Sequence, residues 1–396
     1  MLSTMLVKTL GASANLGACQ GGKGRADAEK YRERPRVVRD LDGLLAAERR
    51  TTPYEAGAGK PTAFAESRNM KRPAPGGTVL LDTNVWSYLA EHGAVDDLYL
   101  ASRRGGAKIA VAPTVVEELK RTSDAARRLE AIEAVTRSCW TRLMPDAYSE
   151  CAEVKAEIRR LRPAWVIKQP NLKEVNRLRY DWTKAKGGYW ERARHVIEPR
   201  RTDESMRNAR ELELARVETK EIRQRVAKGD QRNGTQSIHA FAGLPDPGTP
   251  GWDGDPIDYW RLTSHYFFRS EMLVYTSPVR EWIDSEIDVG AMMSDPASMN
   301  RLWFYEMDPV AVRRQWMRGA FNVMHMYRKV TPGTPGDAAM STFLVEVDLF
   351  VSADKNFVEL VNRCRKEAPF PVASAQRISG GTAGIEELMK LISGDP

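Results

Sequence analysis

Cysteine is scarce in this chain. Only Cys19, Cys139, Cys151 and Cys364 occur in 396 residues, and no two form a CxxC pair. That excludes a zinc ribbon and a disulfide-stapled scaffold, and it suits a reducing compartment such as the cytoplasm. Histidine is equally sparse. His92, His195, His239, His265 and His325 show neither HExxH nor any other paired spacing, which argues against a zinc hydrolase. No apolar run approaches the ~20 residues that span a bilayer, so no membrane role is expected. No GxSxG elbow and no GxGxxG loop follows a strand pattern. The segment Gly57-Ala58-Gly59-Lys60-Pro61-Thr62 has the look of a phosphate loop but fails as one. Pro61 stands where Ser or Thr would bind magnesium, and Tyr54 takes the place of the first glycine.

What is present is a basic chain with enough apolar residues for a real core. The formal charge of +7 and the pI near 9.1 suit a polyanionic partner. The length predicts either a pair of domains or one domain carrying a large insertion. Residues 1–75 are rich in Gly, Ala, Arg and Pro and weak in periodicity, which predicts a disordered extension with one short helix over 37–50. Lys8 interrupts the only apolar stretch that could act as an export signal. Met70, just before Lys71-Arg72-Pro73, would make a natural start, leaving 1–69 dispensable.

From Gly76 onward strands and helices alternate. Thr78–Leu81 reads as a buried strand, and Val85–Glu91 as a helix capped by Thr83 or Asn84. Strands are also predicted at Lys108–Ala112 and Cys139–Met144, with one helix over Val115–Leu129. A further helix is marked by Cys151, Val154, Ile158 and Leu161 and closed by Arg162-Pro163. The rhythm then vanishes until Asp337. There a helix over Ala338–Glu346, a strand at Asp348–Ser352 and a helix over Asn356–Cys364 follow. A strand at Pro371–Ser374 and a helix over Ile385–Ile392 complete the pattern. Such alternation predicts an α/β fold with a parallel sheet flanked by helices, and makes residues 164–330 an insertion.

Two apolar strands end on acids: Val79-Leu80-Leu81-Asp82 and Leu349-Phe350-Val351-Ser352-Ala353-Asp354. The carboxyl ends of parallel strands are where open α/β sheets place their chemistry. Hard divalent cations need carboxylate oxygens, and cutting a phosphodiester with metal ions needs several acids converging from separate elements.

Extended to Leu80-Leu81-Asp82-Thr83-Asn84-Val85, the first of these stretches resembles the opening strand of PIN-domain nucleases. Pro113-Thr114-Val115-Val116-Glu117-Glu118-Leu119 is similar to that family's second signature. The stretch from Gly336-Asp337 to Asp354-Lys355-Asn356-Phe357 resembles the third and fourth, with a gap of 17 residues between the two aspartates. The resemblance covers about 76–163 and 331–396. It implies a three-layer PIN-like fold with a mainly helical insertion. It also implies a metal cluster of Asp82, Glu118, Asp337 and Asp354 that binds Mg2+ or Mn2+. Glu117 is the alternative to Glu118, and Asn84 and Ser352 match the polar positions that orient the acids. Each acid has a plainer reading as a helix cap or turn residue. Asp348 starts its strand at the end away from the site and reads as structural.

The insertion opens on a basic, aromatic block. Lys168, Arg177, Arg179, Tyr180, Trp182, Lys184 and Lys186 are candidates for gripping single-stranded nucleic acid, and Tyr189 and Trp190 lie beyond them. The plainer reading is a solvated helix with its aromatics turned inward. Residues 203–228 balance their charges and read as a salt-bridged helix, 242–257 as a Gly/Pro-rich loop, and 258–330 as helical core. The resulting expectation is a cytoplasmic, metal-dependent endoribonuclease acting on single-stranded or structured RNA. A toxin or defence role, a protein inhibitor or antitoxin, and a homo-oligomer are compatible with it. The alternatives are a PIN scaffold that binds RNA or protein without cutting, and a structure-specific DNA nuclease.

Overall fold

The computed structural model describes residues 76–195, 242–243, 245, 247–275, 277–326 and 334–394. The expectations for 1–75, the loop at 57–62 and the charged helix at 203–228 lie outside the described residues.

Val79, Leu80 and Leu81 have no polar face, so their strand is stable only where both faces are covered. They are fully buried in β1 (Thr78–Leu81). β2 (Lys108–Val111) and β3 (Thr141–Arg142) lie on one side of β1. A two-residue antiparallel pair, β4 (Ala242–Gly243) and β5 (Ile257–Asp258), stands apart and brackets the loop predicted over 242–257. β6 (Leu349–Ser352) and β7 (Ser374–Arg377) lie on the other side of β1. The sheet order is β3-β2-β1-β6-β7, and every pairing is parallel. The chain therefore runs outward from β1 through β2 to β3, and later outward from β6 to β7. The adjacent strands β1 and β6 lead in opposite directions, so the crevice outside their carboxyl ends is the topological switch point of the sheet. Asp82 follows one of these strands directly, and Asp354 follows the other two residues on.

After β1 come α1 (Thr83–Glu91) and α2 (Val95–Gly105), the latter unforeseen from the sequence. After β2 the single helix predicted over Val115–Leu129 is two, α3 (Pro113–Leu119) and α4 (Ala125–Val135). The break falls where Asp124 caps the second helix by accepting the N–H groups of Ala126 and Arg127. α5 (Asp146–Leu161) ends at Arg162 as expected. The third strand is shorter than predicted. The last strand lies at Ser374–Arg377, not Pro371–Ser374, because Leu349 pairs with Ser374 and the ladder runs on from there.

The insertion contains α6 (Leu172–Thr183), α7 (Tyr189–His195), α8 (Tyr259–Leu273) and α9 (Pro278–Asp284). It continues through α10 (Val289–Met293), α11 (Pro296–Arg301), a π-helical turn at Leu302–Glu306 and α12 (Arg313–Met326). α13 (Thr334–Ser341), α14 (Lys355–Glu367) and α15 (Gly381–Ser393) return the chain to the sheet.

The aromatic and Met-rich stretch is core, as predicted. Trp303, Trp316, Met317 and Phe321 are fully buried. α12 belongs as much to the sheet as to the insertion. Phe321 meets Phe357 of α14 edge-on at 5.5 Å, and Trp316 meets Phe370 at 5.4 Å. Arg318 of α12 is buried between Asp146 and Glu150 of α5, and Arg314 binds Glu153 and Glu346. One continuous apolar core results.

Candidate functional site

Asp82 extends the ladder of β1, its N–H donating to the Val351 carbonyl at 2.9 Å. Its buried carboxylate accepts three hydrogen bonds from neighbours. Oδ1 accepts the Thr83 N–H at 2.8 Å, and Oδ2 accepts the Asn84 amide at 2.8 Å and the Ser352 hydroxyl. The helix cap is thus Asp82 itself, where the sequence predicted Thr83 or Asn84. This frees the two neighbours for other contacts. Asn84 accepts the Ala353 N–H at 3.2 Å and so stitches the end of β1 to the end of β6. Thr83 donates its hydroxyl to Glu118 Oε2.

Glu118 reaches the site from α3. The adjacent Glu117 turns elsewhere, accepting from Lys120 Nζ at 2.8 Å and from the Tyr189 hydroxyl at 2.7 Å. Two consecutive helical residues point about 100° apart, so only one can face the strand ends. Asp337 lies in the first turn of α13, next to Gly336. A Cβ built on Gly336 would stand 1.9 Å from Glu118 Oε1, so glycine is what lets α13 approach α3 so closely. Asp354 caps α14 by accepting the N–H groups of Asn356 (2.7 Å) and Phe357 (3.3 Å), and its own N–H donates to Ser352 Oγ at 2.9 Å. Asp348 lies at the far end of β6, where it accepts the Thr78 N–H at 2.7 Å.

The four acids feel one another. Burial, then the Asp354 charge, pushes Asp82 up against the pull of its hydrogen bonds. Burial and Asp82 raise Glu118, opposed by the Thr83 hydrogen bond and Arg121. Asp337 is pushed well above the usual carboxylate range by burial and by the charges of Asp82, Glu118 and Asp354. His325 of α12 stands beside Asp337, its Nε2 3.8 Å from Asp337 Oδ2.

The donor chemistry and the excess negative charge fit a hard divalent cation. The spacing is looser than a finished centre, for among the described residues no three Asp, Glu, His or Cys side chains are grouped to hold one ion. The fit is one of charge and donor type.

The structure divides the basic and aromatic block. Tyr189 and Trp190 are buried, and Trp182 stacks on Tyr189 at 4.1 Å instead of facing solvent. Arg177 pairs with Glu174, and Lys184 pairs with Asp181. Lys168, Arg179, Tyr180 and Lys186 are exposed. The inward-turned reading therefore holds for Trp182, Tyr189 and Trp190, and Tyr180 is the exception.

Thr83, Gly336, His325 and Tyr189 were not singled out for the site. A glycine directly before a candidate acid at a helix start was a usable signal for Gly336. Nothing local marked His325 or Tyr189, which arrive from the insertion. Among the described residues no helix is long and apolar enough to cross a membrane. Comparison of the chain with protein-family models, curated proteins and solved structures finds no match.

Proposed function

We propose that this chain is a PIN-like, metal-dependent nuclease that hydrolyses phosphodiester bonds in RNA. The observation that carries the reading is electrostatic. Four acids from separate elements lie near enough to the switch point of the sheet to feel one another's charge, though among the described residues no three are grouped around one position. Three of them are held above their ordinary pKa by burial and by their neighbours' charges. Uncompensated buried charge is costly, and a bound cation removes the cost.

Asp82, Glu118, Asp337 and Asp354 would hold Mg2+ or Mn2+. A bound ion of this type supplies charge to the scissile phosphate and lowers the pKa of a water that can act as nucleophile. The protein's own part is positional. Asn84 and Ser352 hold Asp82 between the strand ends, and Thr83 holds Glu118. Asp82 is buried against the apolar core and Glu118 and Asp337 are partly buried, whereas Asp354 stands at the exposed rim.

A second reading has its own support. Asp354 is occupied with helix capping and Glu118 with Thr83, so the acids also do structural work. That suits a scaffold that binds RNA or protein without cutting it. Labelled RNA and DNA incubated with the purified chain in Mn2+, in EDTA, and with Asp82→Asn separate the readings. Metal-dependent RNA cleavage lost in Asp82→Asn is expected. Cleavage that survives both EDTA and the substitution would sink the metal-nuclease reading, and binding without cleavage in any metal would favour the scaffold.

A further inference from the structure

We infer that the outer face of α6 is a binding surface for single-stranded nucleic acid, with Tyr180 as its stacking platform. The choice of polymer rests on the nuclease reading above; the surface itself rests on separate observations.

α6 is a helix with no fully buried residue. Its inner side is nonetheless anchored. Val175, Leu178 and Trp182 pack against the core, and Trp182 stacks on Tyr189 of α7. Tyr189 donates to Glu117, the residue next to Glu118, and Lys120 lies 5.4 Å over its ring. The helix is thereby tied to the element that carries one of the site acids.

The outer side has a different chemistry. Lys173, Arg177, Tyr180 and Lys184 follow one another at spacings of four, three and four, which aligns them along one face of a helix. Tyr180 is 63% exposed, and Lys184 Nζ stands 5.7 Å from its ring centroid. An exposed aromatic ring beside a cation is the combination that stacks an unpaired base while holding its phosphate.

Charge decides between a nucleic acid and an apolar partner. From Lys168 to His195 there are eight Lys or Arg and three Asp or Glu. The acids are already engaged: Glu174 with Arg177, Asp181 with both Lys184 and Arg192, and Glu191 with the Gly187 N–H. Among the described residues, Lys168, Lys173, Arg179 and Lys186 have no ion-pair partner, and all four are exposed. Unpaired cations on the same segment as an exposed ring suit a flexible polyanion with flat bases better than an acidic protein, which offers nothing to stack.

Fluorescence anisotropy tests this with a labelled single-stranded oligoribonucleotide of mixed sequence and the full chain in EDTA, where no metal-dependent cleavage intervenes. Tyr180→Ala is expected to weaken binding about tenfold and Tyr180→Phe to leave it near wild type, since stacking needs the ring and not the hydroxyl. Lys173→Ala with Arg177→Ala is expected to flatten the salt dependence. Circular dichroism melting of each variant should match wild type, as these side chains face solvent. Equal binding by wild type and Tyr180→Ala would overturn the inference. So would competition by poly-glutamate as strong as by RNA, which would mark the face as a general or protein-binding cationic surface. A chain that cleaves RNA in Mn2+ but binds equally well without Tyr180 would remove this surface and leave the nuclease reading intact. Tyr180-dependent binding without cleavage would do the reverse.

Discussion

The strand ends and the outer face of α6 both concentrate charge of one sign, yet they handle it in opposite ways. At the strand ends Asp82 is buried and Glu118 and Asp337 are partly buried within reach of one another's charge, so solvent screens these three less than it screens the exposed Asp354. On α6 the cations stand in water, spaced along a helix and partly neutralised by acids a turn away. Crowded, buried charge stores free energy that a ligand of opposite sign can release; spread, exposed charge stores almost none and instead attracts a polyanion over distance. The comparison teaches that the number of charged residues says little about a surface until their burial and partners are known.

The sharpest way to break this contrast is to neutralise one crowded acid. Asp337→Asn should cut metal-dependent cleavage on the order of a hundredfold or more, measured in single turnover. The same change should stabilise the metal-free protein at neutral pH. The sign follows from proton linkage. Asp337 in the folded chain keeps its proton above the ordinary value of 3.8, so the folded state binds more protons than the unfolded one. Stability is therefore lost as pH climbs through 3.8 and stops falling only above the raised folded value. The asparagine escapes that loss. Its advantage should vanish below about pH 3.8, and denaturant titrations at several pH values would show whether it does.

Ion pairs sharpen the same comparison. Arg318 is buried between Asp146 and Glu150, whereas Arg177 and Glu174 meet on the solvent side of α6. Arg318→Ala leaves buried carboxylates without a partner and should cost about 3–5 kcal/mol. Arg177→Ala should cost less than about 1 kcal/mol. Urea unfolding of the two variants side by side would test this, and similar losses would contradict the division between buried and exposed charge.

Another effect concerns spacing alone. Gly336→Ala adds one methyl group against Glu118 Oε1. Because Thr83 pins the other oxygen, Glu118 must shift away from the acids. Cleavage should fall about 10–100-fold, the scale typical of disturbed support around a metal ligand, with little change in melting temperature. A large loss of stability instead would show that the contact matters to folding more than to the site.

Much of this molecule was legible beforehand. The apolar runs that end on Asp82 and near Asp354 announced a parallel sheet, because a strand buried on both faces can be written in few other ways. Asn84 and Ser352 were expected at the acids, and both donate to Asp82. Less could be read where local signals compete. Val115–Leu129 kept a helical pattern across a break that only Asp124 betrays. Tyr180, Trp182, Tyr189 and Trp190 look alike in sequence, and only packing separates the exposed ring from the buried ones.

The sequence by itself determined the class of fold, the central strand and the two acids that follow the strand ends, since periodicity and strand-end chemistry are local properties; Glu118 and Asp337 were implied by the resemblance alone. The tertiary structure decided which of Glu117 and Glu118 faces those acids, that Asp82 caps its own helix, and that α12 joins the sheet. It also brought Tyr189 and His325 from the insertion to the edge of the site. These are long-range outcomes: each depends on which surfaces a continuous core brings into contact, and no window of neighbouring residues encodes that.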